Sequence, residues 1–181
     1  MPIMNDQESL QSAIDEDVRL HDYDASWPEM FVLERDRLQS LFPGQFAGIQ
    51  HIGSTAVPGL QAKPIIDIMA GVESMEVARA LSEALCKSGY TTSAEFNETL
   101  TDRQWFMRWT DGHRTHHLHV LVHGAAPWRE RLQFRDALRT QPKLAARYVA
   151  LKMALAAQHR MDRQAYTDAK LAFIQSCCTG E

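Results

Sequence analysis

From Trp27 onward, apolar residues recur at helical spacing. Trp27, Phe31, Leu38, Leu41 and Phe42 share one stripe, and Pro43-Gly44 closes the run. Ser26, Pro28 and Glu29 stand where a capping box would place them, so the pattern predicts a helix that begins there. Two short apolar segments follow, Phe46 to Ile52 and Pro64 to Val72, separated by the loop Gly53-Ser54-Thr55-Ala56-Val57-Pro58-Gly59. Their length and flanking Gly and Pro predict two strands. In the second strand Ile65, Ile66, Ile68, Met69 and Ala70 are apolar on both faces, the mark of a central position covered from both sides, and only Asp67 interrupts it. Ser74 to Ser88 carries Val77, Leu81, Ala84 and Leu85 on one stripe and stops at Gly89, predicting a helix. Gln104 to Trp109 and His116 to Val122, joined by Thr110-Asp111-Gly112, predict a hairpin. After Pro127 only helical spacing remains: Leu132 and Leu138, then Leu144, Tyr148, Leu151 and Leu155, then Tyr166, Ala169 and Phe173, with breaks at Pro142 and Met161-Asp162. The expected fold is α+β (α/β), a mixed sheet of at least four strands packed with helices and a helical C-terminal third. Residues 1–22 read as an acidic, mobile leader, and residues 23–176 as one domain.

Composition narrows this picture. With 181 residues, 45% of them hydrophobic, the chain can bury one sizeable core. A formal charge of −4 argues against a polycation that coats nucleic acid. The sum conceals a gradient, however: residues 1–44 carry ten acids and three bases, and residues 127–170 carry four acids and ten bases. The 3 Cys residues, two of them the adjacent Cys177 and Cys178, form neither a disulfide framework nor a metal-ligand spacing, so a reducing cytoplasm is expected. No stretch reaches the length of a membrane span, and no membrane partner is expected.

Two constellations carry chemistry. In the first, a strand delivers Gly53-Ser54-Thr55 into a loop, and the next strand returns Asp67 within an apolar run. Glycine lets backbone amides approach a phosphate, and the two hydroxyls add donors. The spacing is neither a Walker A loop nor a dinucleotide fingerprint. A carboxylate in a central strand must be paired, hydrogen-bonded or bound to a metal. Asp67 therefore either holds a divalent ion or pins the Gly53–Gly59 loop through its amides, and both readings stay open. In the second, His113-Arg114-Thr115-His116-His117-Leu118-His119-Val120-Leu121-Val122-His123 holds five of the 8 His residues. On a strand, His117 and His119 share a face about 7 Å apart, where imidazoles can ligate a metal, relay protons or simply form a polar strand face. Among the bases, Lys63 precedes the Asp67 strand, Arg103 and Arg108 flank an aromatic strand, and Arg135, Arg139, Arg147, Lys152 and Lys170 lie on the C-terminal helices. Each suits phosphate contact or a solvated face.

The run His51 to Leu60, continued by Lys63-Pro64-Ile65-Ile66-Asp67-Ile68, His117-Leu118-His119-Val120, Phe134 to Arg139, Tyr148, Leu151-Lys152, Tyr166 and Lys170, resembles the GrpB family over roughly Tyr23 to Ile174. Family members are assigned to the nucleotidyltransferase-fold superfamily, and some are fused to dephospho-coenzyme A kinase. The resemblance implies a nucleotidyltransferase-like sheet. It also implies a metal-dependent transfer of a nucleotidyl or phosphoryl group, with a nucleotide, another phosphate-bearing small molecule or RNA as partner and Mg²⁺ or Mn²⁺ as cofactor. Gly53 and Ser54 match the superfamily's Gly-Ser pair, and Asp67 matches its first carboxylate. The position of the second carboxylate is Met69, and the later strand offers His117 and His119. The expected assignments are then Asp67, His117 and His119 as catalytic and metal-binding, and Gly53, Ser54, Thr55, Lys63, Arg103 and Arg135 as phosphate-binding. The alternatives are a catalytically degenerate nucleotide- or RNA-binding module, or a regulatory partner in coenzyme A or nucleotide metabolism.

Overall fold

A computed structural model describes residues 20–158 and 173–174. The leader up to residue 19 and all but Phe173 of the last predicted helical stripe lie outside them. The first described helix, α1, runs Trp27–Leu41. Its start differs from the expected capping box. Ser26 is itself helical at φ −78° and ψ −19°, so its hydroxyl does not reach the next turn. Asp24 caps the entry instead, accepting the Ser26 N–H at 2.8 Å.

Strand β1 is Gly48–Ile52, followed by a single 3-10 turn at Ser54–Ala56 and strand β2 at Ile66–Val72. The single helix expected over Ser74 to Ser88 is divided into α2 (Met75–Ala80) and α3 (Ser82–Lys87), joined at Leu81. The Ser74 hydroxyl caps α2 by accepting the Val77 N–H. Then come the two-residue β3 (Tyr90–Thr91) and the short α4 (Ala94–Thr99), neither of which carries an apolar period long enough to read. The expected hairpin is β4 (Gln104–Thr110) and β5 (His113–Val122), after which α5 (Ala126–Thr140) and α6 (Pro142–Gln158) complete the described chain.

These strands form one sheet in the order β1-β2-β5-β4-β3. Strand β2 pairs antiparallel with β1 and parallel with β5, which pairs antiparallel with β4. As the apolar run predicts, β2 is central. Every residue in it except Asp67 is buried. Ile66, Ile68, Ala70 and Val72 pack on one side against Trp27 and Leu38 of α1 and Leu85 of α3. On the other side, Met69 joins Ile52, Leu121 and Trp128 of α5 in a smaller cluster. Fully burying a side chain of this size contributes about 1.5–3 kcal/mol. Helices α1 and α3 thus pack on one face and α5 on the other, where the Asp67 end stays partly open, its side chain 30% exposed.

Candidate functional site

At the open end, the register sets Asp67 beside His117 and Met69 beside His119 across β2 and β5. Because both strands point their alternate side chains to one face, Asp67, His117 and His119 meet there. The His117 Nδ1–H donates to Asp67 Oδ1 at 3.0 Å, and His119 Nε2 lies 3.9 Å from the same oxygen. Asp67 therefore bonds an imidazole rather than the loop amides. Burial opposes its ionisation, but the hydrogen bond from His117 and the nearness of His119 outweigh it, so its pKa is lowered. Burial also depresses both imidazoles, His117 to about 4, against the opposing pull of Asp67. The outcome is a carboxylate flanked by two neutral rings.

Gly53 locks the loop onto this carboxylate. Its φ of +71° favours glycine, and a Cβ there would collide with Asp67 Oδ2. Loop and carboxylate therefore occupy one site. Ser54 opens the 3-10 turn, and its Oγ accepts from Lys152 Nζ at 3.0 Å. Lys152, on α6, is only 2% exposed; its Nζ also donates to the Gln61 carbonyl at 2.5 Å and sits over the Tyr148 ring. One ammonium group thus ties both ends of the loop to the helical region.

The other expected phosphate ligands divide. Arg103 lies beside the triad, paired with Asp102 at 2.7 Å, and Arg131 of α5 grips the other oxygen of Asp102 at 3.0 Å. Both guanidinium groups help to depress His119. Arg135 turns to the strand, donating to Gln50 Oε1 at 3.1 Å and to the His51 carbonyl at 3.0 Å. Thr55 points inward, 1% exposed, with its hydroxyl between His51 Nε2 and the Ile65 carbonyl. Lys63 is half-buried in the connection that leads into β2. Of the remaining histidines in the second constellation, His116 is buried on the opposite face, and His113 and His123 are exposed.

Arg114 joins the site against strict alternation. The register shifts between Arg108 and Trp109, leaving Thr115 as an extra residue in β5. This bulge re-aims Arg114 toward the Met107 thioether Sδ, 4.0 Å away, on the His117 face, where its charge helps to depress His117. The sequence singles out neither Arg114 nor Arg131, and Lys152 stands there only as one base among several on the C-terminal helices. Buried Lys and Arg near a polar loop leave no local pattern.

Among the described residues, Asp67, His117 and His119 form a group whose ligand atoms lie within 4.8 Å of one another. One carboxylate and two imidazoles suit a single imidazole-tolerant divalent ion such as Mn²⁺. They do not suit a Mg²⁺ pair, because they supply a single carboxylate and the next β2 side chain on this face, Met69, is fully buried in the cluster with Trp128.

The chain matches the family described as GrpB protein over residues 17–179. It belongs to the GrpB family. A glutamate-rich protein GrpB from Alkalihalophilus pseudofirmus is 34% identical over 162 residues, 87% of this chain and 92% of that one. The UPF0157 protein YqkA of Bacillus subtilis is 36% identical over 154 residues, 85% of this chain, which spans only 44% of YqkA. The crystal structure of the conserved protein GrpB from Enterococcus faecalis superposes with a TM-score of 0.77 at 32% identity, covering 90% of this chain and 96% of that one. The GrpB fold is therefore shared across this sheet and its helices, and no described helix is long and apolar enough to cross a membrane.

Proposed function

We propose that this GrpB protein binds a nucleotide or another phosphate-bearing small molecule at the Gly53 loop and transfers a nucleotidyl or phosphoryl group from it. The observation that carries this reading is the contact of Gly53 with the Asp67 carboxylate, which unites a phosphate-type loop and a metal-type donor set. Ser54 and Lys152 would hold phosphate oxygens, while Arg103 and Arg131 would offset their charge. Asp67, His117 and His119 would hold one divalent ion, Mn²⁺ fitting better than Mg²⁺. When bound, such an ion screens phosphate charge and acidifies an attacking hydroxyl.

A second reading, a nucleotide or RNA binder without turnover, is favoured by one observation: Met69 removes the second carboxylate from the cleft. The two part on one experiment, in which thermal shift and pyrophosphate release are measured together with Mn²⁺ and each nucleoside triphosphate. The transferase reading expects stabilisation and, with an acceptor, release that Asp67→Asn abolishes while the fold survives. Stabilisation without release supports the binder. Release that persists in Asp67→Asn overturns the assignment of Asp67.

A further inference from the structure

Strand β4 meets a gap along its outer edge. The two-residue β3 pairs only with Met107 and Arg108, so Trp105 has no strand partner on that side. A side chain takes the strand's place. Buried Asn97 of α4 accepts the Trp105 N–H at 2.8 Å and donates from Nδ2 to the Trp105 carbonyl at 3.2 Å. The Thr92 hydroxyl also donates to that carbonyl and receives the second Asn97 bond at 2.8 Å. The same helix, capped by Ser93 accepting the Phe96 N–H at 3.1 Å, sets Phe96 edge-on to Trp105 with centroids 5.3 Å apart. Phe96 remains 37% exposed, one of the few large apolar side chains that is. A buried polar cluster therefore fixes two aromatic rings in place.

That placement is beside the site. Trp105 stands opposite His119 in the β4–β5 register, and its ring lies 5.4 Å from the His117 ring. Two strand spacings, about 10 Å, separate it from the Asp67 strand. A nucleoside phosphate bridges such a span, and a bare phosphate does not.

We infer that Trp105, held by Asn97 and backed by Phe96, is the wall on which the planar base of the ligand stacks. The ligand class is then a nucleotide rather than a sugar phosphate or an inorganic polyphosphate. This inference rests on the phosphate and metal reading of the cleft. A π face accepts every base, so the wall selects for a base without choosing among them.

The test compares the four ribonucleoside triphosphates with inorganic tripolyphosphate, each with Mn²⁺, on the full chain. Binding is followed by calorimetry and by tryptophan fluorescence. Trp27 and Trp128 are buried, but Trp109 is half-buried like Trp105, so the ligand-dependent change is assigned to Trp105 by its disappearance in Trp105→Phe. The expected result is quenching by at least one nucleotide and none by tripolyphosphate. Trp105→Leu should weaken the nucleotide about tenfold and leave tripolyphosphate within about twofold, while Trp105→Phe keeps most of the affinity. Equal wild-type affinity for both ligands, or an equal loss of both in Trp105→Leu, overturns the stacking wall and leaves the phosphate reading standing. If neither ligand binds, both fall together.

Discussion

Replacing Gly53 by alanine probes the contact that joins loop to carboxylate. Gly53 has φ +71° and ψ −170°, a region occupied almost only by glycine, where a Cβ costs about 1–3 kcal/mol. The added methyl would also press on Asp67 Oδ2, an overpacking that costs a further ~1–3 kcal/mol. Gly59 supplies the control: its φ is +78°, yet a Cβ there meets nothing within 4 Å. Only the backbone cost applies at that position, about 1–2 kcal/mol. In a chain of this size each kcal/mol lowers Tm by about 2–4 °C, so Gly53→Ala should lower Tm about twice as far as Gly59→Ala. Calorimetry of the two variants measures the difference. The same Gly53→Ala change made in an Asp67→Ala background should cost less than in the wild type, by about the ~1–3 kcal/mol overpacking share, because the carboxylate that the added methyl would press on is gone. Equal costs for the two glycines, or a Gly53→Ala cost unaltered by removing Asp67, would refute the contact as the link between loop and site.

Three further outcomes follow from the geometry. Lys152→Met keeps the apolar stem but removes the ammonium from Ser54, and should weaken tripolyphosphate binding about tenfold by calorimetry with the circular dichroism spectrum retained; undiminished binding would exclude Lys152 from the anion seat. His51 and His116 are each held neutral by burial, with pKa lowered to about 4 from the ordinary 6.5. In that window the unfolded chain takes up protons that the folded chain refuses. Stability should therefore fall as pH drops from about 7 to about 5, by roughly 2 kcal/mol per histidine, and His51→Gln should remove one such share in urea titrations; a pH-independent midpoint would contradict this. Glu34 is 3% exposed and accepts from Tyr90 at 2.6 Å, from Arg37 at 3.2 Å and from Arg108. Breaking this buried network by Glu34→Ala should cost about 3–5 kcal/mol in chemical denaturation, and a loss below about 1 kcal/mol would show the network to be dispensable.

The centre of the site was legible because its signals are local. Asp67 stands out as the one polar residue in a strand apolar on both faces, Gly53-Ser54 precedes it across a short loop, and His117 and His119 share a face by simple alternation. What the sequence concealed depends on contacts between distant segments or on local departures from regular geometry. Lys152 lies 98 positions from Ser54, and nothing in its helix distinguishes it from a solvated base. Arg114 reaches the His117 face only through the bulge at Thr115. Thr55 resembles a phosphate donor until the core bonds its hydroxyl to His51, and Arg135 until it grips the His51 carbonyl. Asn97 replaces a missing strand, which no periodicity announces. The charge gradient did carry information: Arg135, Arg139 and Lys152, from the basic third, all bond to the segment between His51 and Gln61.

The most direct test of the account is anomalous diffraction from crystals soaked in Mn²⁺ and the nucleoside triphosphate that most stabilises the protein. One manganese peak bonded to Asp67, His117 and His119, with phosphate oxygens at Ser54 and Lys152, is the result predicted. Phosphates seated away from the Gly53 loop, or manganese bound elsewhere with Asp67 still closed on His117, would contradict it.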